Sequence, residues 1–150
     1  MEISSDYKDL FSILKEHKVK YLVVGAYAVM YYTEPRFTKD LDIWVKSDKE
    51  NAIKVYNALK EFGAPLINVS PEDFTKREII YQIGVAPIRV DIMTSLPNVR
   101  FDTAWKKRKK SRYGDIPINI IGLNELIRSK KKSNRKRDEW DVEMLKKAST

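Results

Sequence analysis

The sequence contains no cysteine and a single histidine, His17. Without cysteine, disulfide bonds and thiolate metal sites are excluded, and a reducing compartment is the natural setting. His17 lies among charged residues at the predicted end of a helix, where a cation near the helix C-terminus is the ordinary explanation. Nucleophilic chemistry of the Ser-His-Asp or Cys-His kind is therefore disfavoured.

The chain also lacks a long hydrophobic segment. Its longest nearly apolar run, Tyr21 to Tyr32, is shorter than the about 20 residues that span a bilayer. The polar and acidic start, MEISSDYKDL, has neither the basic nor the apolar region of a signal peptide. We therefore expect a cytoplasmic protein with no membrane partner.

Glycine and proline are scarce, at 5 and 6 of 150 residues. Together with 43% hydrophobic and 33% charged content, this predicts a globular chain rather than a disordered one. The length suits one domain with its own core, in which the last two helices, over about 123–148, form a C-terminal helical part. The net charge of +8 favours anionic partners such as nucleotides or nucleic acid.

Residues 19–46 hold the pattern on which the functional prediction depends. An apolar, β-branched run from Val19 to Val24 predicts a buried strand. Gly25 then lets the backbone turn, so that a helix can begin near Ala26. The free N–H groups and the positive dipole end of that helix form a favourable position for a phosphate.

Two aspartates follow in the sequence Asp40-Leu41-Asp42-Ile43, where polar and apolar residues alternate as in a strand. Asp40 and Asp42 therefore project from one face. Two carboxylates beside an anion-binding helix start are typical of a site for magnesium and a triphosphate, because the metal prevents repulsion between the carboxylates and the phosphates.

A third aspartate, Asp91, lies in a predicted strand over Ile88–Met93. It shares a face with Arg89, while apolar residues occupy the other face. A lone aspartate in an apolar strand is costly unless something pairs with it. The residues alone indicate an ion pair with Arg89 or another base as the structural explanation.

The remaining pattern predicts an α/β fold with a mixed sheet of about five strands flanked by helices. Ser5 is expected to cap the first helix, and a capping box that starts at Ser47 the third. Further helices are predicted over about 6–17, 47–62, 101–110, 123–132 and 138–148, and further strands over 79–83 and 117–121. The last strand is expected at an edge because Pro117 cannot donate to a ladder.

Two basic runs, residues 106–112 and 128–137, carry thirteen lysines and arginines. Such runs could follow an RNA backbone, although a run of charge is usually a solvated surface. The candidate RNA-binding residues are Lys107, Arg108, Arg135 and Lys136.

The succession of strand, Gly25, helix and Asp40-x-Asp42 resembles the nucleotidyltransferase superfamily typified by DNA polymerase beta. In that superfamily Gly-Gly or Gly-Ser is followed by a helix and then by Asp-x-Asp. The second Gly or Ser is Ala26 here, so a hydroxyl contact to phosphate is lost while the backbone N–H remains.

The finer pattern Arg-x-Thr-x-Asp-Leu-Asp over residues 36–42 is similar to a bacterial branch that includes AbiEii-type toxins and small stand-alone transferases. The ending Arg-Lys-Arg-Asp-x-x-Asp over residues 135–141 also resembles that branch, and Lys130 stands where the branch usually has a lysine.

The resemblance implies that Asp40, Asp42 and Asp91 are the catalytic and metal-binding residues. In the two-metal scheme they would hold two Mg2+ ions, with Mn2+ as an alternative. Candidate contacts to the phosphates of a triphosphate such as ATP are Gly25, Ala26, Arg36, Thr38 and Lys130. For Arg36 and Thr38, packing of the loop is the alternative, and for Lys130 a solvated position.

The implied activity moves a nucleoside monophosphate from a triphosphate to a hydroxyl on RNA (tRNA-like), on protein or on a small compound, and releases pyrophosphate. A protein acceptor could be the cognate toxin of a toxin–antitoxin system. Two alternatives stay open. One is an inactive relative, with Ala26 as its sign, that acts as a nucleotide-, RNA- or partner-binding module. The other is a metal-dependent nuclease, against which the phosphate-binding turn argues.

Overall fold

The computed structural model describes residues 4–35, 40–85, 88–131 and 135–149. They form a mixed six-stranded sheet flanked by helices, which confirms the predicted fold class with one strand more than expected. The helices are α1 (Ser5–Glu16), α2 (Gly25–Tyr32), α3 (Lys49–Phe62), α4 (Phe101–Lys106), α5 (Leu123–Lys130) and α6 (Lys136–Ala148), with a short 3-10 helix over Pro71–Thr75. The strands are β1 (Tyr21–Val24), β2 (Asp40–Val45), β3 (Ile80–Val85), β4 (Ile88–Met93), β5 (Lys109–Tyr113) and β6 (Ile116–Ile120).

The strands lie side by side in the order β3-β4-β2-β1-β6-β5. β1 is antiparallel to β2 and parallel to β6, and β2 is parallel to β4, while the outer pairs β3–β4 and β5–β6 are antiparallel. β1 is buried along its whole length, and the core surrounds this centre of the sheet. Among the described helices, none has both the length and the apolar character needed to cross a membrane.

The caps of α1 and α3 differ by one residue from the predicted ones. Ser4 rather than Ser5 caps α1, and its hydroxyl accepts a hydrogen bond of 3.4 Å from the N–H three residues later. Asp48 rather than Ser47 caps α3, and its Oδ1 accepts a hydrogen bond of 2.7 Å from the N–H three residues later. Neighbouring serines and aspartates are equally suitable caps by type, so composition could not decide between them.

The basic helix predicted over residues 101–110 is shorter, because α4 ends at Lys106 and Lys109 already belongs to β5. β5 forms a hairpin with β6 through a two-residue turn, Gly114 and Asp115, with Gly114 at φ +61°. Such a turn is the common connection in tight hairpins. β5 is largely exposed and rich in lysine, so it shows no apolar alternation from which a strand could be predicted.

β6 is not the edge strand that Pro117 predicted, because it lies between β1 and β5. Pro117 is paired with Arg112 of β5 on one side. On the other side β6 meets β1 only at its far end, where Ile120 lies opposite Val23. The proline, which has no N–H to donate, therefore lies where β6 has a partner strand on one side alone.

Candidate active site

Asp40, Asp42 and Asp91 lie on one face of the sheet. β2 and β4 are parallel, with Asp42 opposite Asp91 and Asp40 opposite Arg89. Side chains at matching positions of neighbouring strands share a face, as do alternate residues of one strand. The structure therefore brings the three predicted carboxylates together and places Arg89 among them.

Gly25, at the end of β1, lies directly against Asp42. The pairing of Val24 with Asp42 brings the end of β1 beside the carboxylate. A Cβ atom at Gly25 would overlap Asp42 Oδ2 and lie 2.9 Å from its Cγ. Gly25 also has φ +66°, a backbone conformation that favours glycine. Both the turn and the position of the carboxylate therefore depend on the missing side chain.

The first turn of α2 follows at once and has no side-chain cap. Val24 occupies the cap position without a side-chain hydrogen bond, and the turn contains no acidic residue. The N–H groups at this helix start, which include that of Ala26, are therefore not engaged by a capping side chain. Such a start suits a phosphate, and Asp42 is adjacent to it.

Asp42 carries the most perturbed carboxyl group of the site. Burial, together with the negative charges of Asp91 and Asp40, raises the pKa of this carboxyl group from 3.8 to about 6. The positive charges of Lys130 and Arg89 act in the opposite direction without cancelling the effect. The site therefore concentrates negative charge that the protein only partly compensates.

Arg89 binds two of the three carboxylates. Its Nε lies 3.2 Å from Asp91 Oδ1 and 3.7 Å from Asp40 Oδ1, and its Nη2 lies 3.5 Å from Asp91 Oδ2. The Tyr7 hydroxyl donates a hydrogen bond of 3.0 Å to the carbonyl oxygen of Arg89, which ties β4 to α1. The ion pair offered as the structural explanation of Asp91 is therefore present, and it lies inside the carboxylate cluster.

Within the described residues, no group of three or more His, Cys, Asp or Glu side chains is arranged to hold a metal ion. The chemistry of the donors nevertheless fits Mg2+, which prefers carboxylate oxygens. The partly uncompensated charge at Asp42 fits a cation as well. Because Arg89 bridges Asp40 and Asp91, a metal ion at these carboxylates would have to displace the guanidinium. Binding of two Mg2+ or Mn2+ ions stays a prediction.

Lys130 is not the solvated lysine that the sequence allowed as an alternative. Its side chain is 12% exposed, and its Nζ lies 3.1 Å from Asp138 Oδ1 and 3.2 Å from Asp141 Oδ2. Its positive charge also lowers the pKa of Asp42, so the ammonium group acts on the carboxylate cluster through its charge. Lys130 thus connects the two C-terminal helices to the site, and its contact with phosphate stays a prediction.

Two of the predicted phosphate contacts, Arg36 and Thr38, lie outside the described residues. The four candidate RNA-binding residues are described, and their binding of RNA stays a prediction. Lys107 Nζ lies 3.7 Å from Glu125 Oε2, and Arg135 Nε lies 3.5 Å from Asp138 Oδ2. Arg108 and Lys136 line different grooves.

Sequence reasoning gave no role to Asp138 and Asp141 in holding Lys130. Their spacing of three residues, which places both on one face of α6, was the available signal. This spacing could not identify Lys130 as the partner, because the contact joins α6 to a separate helix. The position of Arg89 between Asp40 and Asp91 was missed for the same reason, since only strand pairing brings Asp40 there.

Residues 3–150 match the family described as "Nucleotidyl transferase of unknown function (DUF2204)". No curated protein matches the sequence.

Solved structures of low sequence identity share the fold. The lincosamide antibiotic adenylyltransferase LnuA, in its lincomycin-bound form, is 16% identical with a TM-score of 0.62, over 99% of both chains. The antibiotic-resistance factor ANT(2'')-Ia is 7% identical with a TM-score of 0.64, over 97% of this chain and 83% of its own. An antigenic nucleotidyltransferase-like protein from Paracoccidioides brasiliensis is 14% identical with a TM-score of 0.58, over 97% of this chain and 78% of its own.

Proposed function

The chain belongs to the nucleotidyl transferase family of unknown function DUF2204, and from this premise we propose that it moves a nucleoside monophosphate from a triphosphate to a hydroxyl group. The observation that supports this best is the contact between Gly25 and Asp42. It places a helix start without a side-chain cap against a carboxylate whose charge is only partly compensated. A triphosphate and its metal ion need these two features side by side.

In the proposed reaction the acceptor hydroxyl oxygen bonds to the α-phosphorus. The bond from the α-phosphorus to the oxygen that bridges to the β-phosphorus breaks, and pyrophosphate leaves. Asp91 takes the proton of the attacking hydroxyl, because it lies opposite Asp42 in the register of β2 and β4. The reaction therefore needs no histidine or cysteine.

The phosphates would be bound by backbone and by one lysine. The N–H groups of Gly25 and Ala26, at the start of α2, would donate hydrogen bonds to phosphate oxygens. Two N–H donors of Lys130 face Asp138 and Asp141, which leaves its remaining donor capacity for a phosphate oxygen. Arg36 and Thr38 are assigned to the phosphates from their place in the sequence pattern.

Asp40, Asp42 and Asp91 would hold Mg2+, or Mn2+ in its place. When bound, the metal would neutralise the phosphates and lower the pKa of the attacking hydroxyl. Asp42 and Asp91 would contribute most, because they are opposite each other and Asp42 has the less compensated charge. Arg89 would release Asp91 and Asp40 as the metal binds.

The acceptor we propose is an RNA of tRNA type or a protein. The resemblance to AbiEii-type toxins is the reason for both, and it makes a cognate toxin in a toxin–antitoxin pair the natural protein acceptor. The name of LnuA, a lincosamide antibiotic adenylyltransferase, adds an antibiotic as a class of small acceptor and suggests ATP as the nucleotide.

The second candidate is a module that binds nucleotide, RNA or a partner protein without catalysis. Two observations favour it: Ala26 lacks the hydroxyl of the superfamily pattern, and Arg89 occupies the carboxylates that would bind metal. An Arg89 that stays bound to Asp91 in the presence of Mg2+ and a triphosphate would leave the reaction without its base.

The test is incubation of the protein with each α-labelled triphosphate, Mg2+ and a cell extract, followed by measurement of pyrophosphate. We expect release with at least one triphosphate and a labelled product that either ribonuclease or protease destroys. Asp42→Asn should lower the rate by at least about a hundredfold, because the metal and the phosphates lose a ligand. Asp9→Asn, an exposed carboxylate on α1, is the control and should keep the rate.

Binding of the triphosphate without pyrophosphate release from any mixture would replace the transferase by the binding module. Cleavage of RNA in the absence of triphosphate would instead favour the nuclease.

A further inference from the structure

A groove of about 410 Å³ lies beside the start of β1. It is called the basic groove here. Its charged lining comes from the end of α1 and the residues after it, from the segment that joins α4 to β5, and from β5 itself. No carboxylate lines it. The five cations of the basic groove are Lys15, Lys18, Lys20, Arg108 and Lys110.

The five cations of the basic groove lack acidic partners in the part of the chain that the structure describes. Among the described residues, none of the five forms an ion pair with a carboxylate. Lys8, by contrast, lies 2.8 Å from Asp115, and Lys46 lies 3.1 Å from Asp102. The basic groove therefore gathers five positive charges that no carboxylate of the described residues neutralises.

Two contacts with Trp105 hold Arg108 in place in the lining of the basic groove. Its guanidinium carbon lies 3.9 Å from the centre of the Trp105 ring, and its Nη1 donates a hydrogen bond of 2.8 Å to the Trp105 carbonyl oxygen. The Trp105 ring also stacks on the Phe101 ring, with 5.8 Å between the ring centres. Lys20 Nζ lies 5.9 Å from the centre of the Trp105 ring. The Trp105 ring therefore positions the Arg108 guanidinium in the lining of the basic groove.

The helix dipole accounts for only part of this cluster. Lys15 and Lys18 lie at the C-terminal end of α1, where cations are favourable. Lys20 and Lys110 lie at strands, which have only a small net dipole. Mutual repulsion opposes the gathering of these cations unless an anion binds among them.

We propose that the basic groove binds the phosphate backbone of RNA. Lysine serves as a point charge for phosphate, and arginine can donate to two of its oxygens at once. RNA carries a negative charge at every nucleotide, and five cations with no carboxylate among them match such a row of phosphates. The charge of the lining therefore favours a polyanion.

The position of the basic groove suits a long ligand. Lys20 precedes β1 and Gly25 follows it, so the two are separated by about 16 Å at the rise of an extended strand. A nucleotide at Gly25 cannot fill both places, whereas a polynucleotide can. That the bound RNA is the acceptor rests on the proposed function, whereas the binding itself does not.

The test is a salt titration of binding to a labelled 20-nucleotide oligouridine, followed by fluorescence anisotropy without triphosphate. Five phosphate contacts predict a log–log slope of about −3.5 for a single strand. The double variant Lys20→Gln/Lys110→Gln should reduce the slope to about −2.1 and weaken binding at low salt by about tenfold or more. The matched control, Lys49→Gln/Lys60→Gln, removes the same charge from exposed positions of α3 and should bind as the wild type does.

Equal weakening by the control, or a slope that the groove variant leaves unchanged, would overturn the proposal. A glutamate 20-mer that displaces the RNA at lower concentration than unlabelled oligouridine would overturn it in favour of an acidic protein segment. The Asp42→Asn protein should bind oligouridine as tightly as the wild type. Pyrophosphate release by a wild-type protein that does not bind oligouridine would reject the groove alone, and oligouridine binding without any transfer would reject the proposed function alone.

Discussion

Two groups of aspartates in this molecule differ in how far their negative charges are compensated. Asp138 and Asp141 on α6 face the ammonium group of Lys130 at 3.1 and 3.2 Å. Asp42 on β2 instead faces Asp91 and Asp40, and its pKa rises to about 6. The first group has a fixed cation of its own, while the second keeps an excess of negative charge.

The difference separates a structural cluster from a binding site. A buried charge with a well-placed partner contributes to a defined geometry, and the loss of that partner is strongly destabilising. A charge without a full partner lowers the stability of the protein until a ligand binds to it. The C-terminal helices therefore fix Lys130, and the sheet holds carboxylates that a cation would stabilise.

The largest expected effect follows from removal of the cation of the first group. Lys130→Met should lower the free energy of unfolding by about 3–5 kcal/mol, because Asp138 and Asp141 would be left buried without it. Urea denaturation at pH 7 measures the loss. Lys131→Met, at the exposed neighbouring position, is the control, and Asp141→Asn added to Lys130→Met should recover part of the stability. An equal loss in both single variants would contradict the comparison.

In the second group, removal of a charge should raise the free energy of unfolding rather than lower it. The native pKa of Asp42, about 6, lies above its ordinary value of 3.8, so between these pH values the native state binds more protons than the unfolded state. Stability therefore falls as the pH rises through this window, and the loss persists above it at about 3 kcal/mol. Asp42→Asn should raise the free energy of unfolding by about that amount at pH 8, and the gain should shrink toward pH 4.

Thermal and urea unfolding at several pH values measure this difference, with Asp9→Asn as the exposed control. A pH profile of the Asp42→Asn protein parallel to that of the wild type would show that Asp42 is not the group responsible.

The smallest effect is expected at Arg89, which supplies part of the missing compensation in the second group. Arg89→Gln should lower the dissociation constant of Mn2+ about threefold, because the metal no longer competes with the guanidinium for Asp91 and Asp40. Electron paramagnetic resonance of free Mn2+ measures binding without any reaction. Arg77→Gln, at an exposed position before β3, is the matched control. Weaker Mn2+ binding by Arg89→Gln would mean that Arg89 organises the carboxylates rather than competes for them.

The local half of this arrangement could be predicted from the sequence. The alternation in each segment indicated that Asp40 and Asp42 share one face of their strand and that Arg89 and Asp91 share one face of theirs. The glycine after an apolar strand indicated a phosphate-binding turn. The predicted α/β fold and nucleotidyltransferase superfamily are confirmed. The narrower resemblance to AbiEii-type toxins stays a prediction.

The half that depends on pairing between distant segments could not be predicted. The period of a strand places Arg89 beside Asp91, but only the register with β2 places it beside Asp40. The side chain of Lys130 is largely buried because α5 packs against α6, where Asp138 and Asp141 contact it. Its sequence neighbours are mostly basic, so the sequence alone allowed a solvated position instead. β5 was missed because its hairpin depends on a turn and a partner strand rather than on its own apolar pattern.

Because Gly25 packs against Asp42, evolutionary substitutions at these two positions depend on each other. A side chain at residue 25 has no room while the carboxylate of Asp42 is present, although the backbone conformation alone would cost only about 1–2 kcal/mol. A lineage that still performs the chemistry therefore cannot move away from glycine. Loss of the carboxylate at residue 42 removes the overlap, although the Cβ of that residue still lies 3.0 Å from the added atom. A larger residue at position 25 therefore indicates that the carboxylate, and catalysis with it, was lost first.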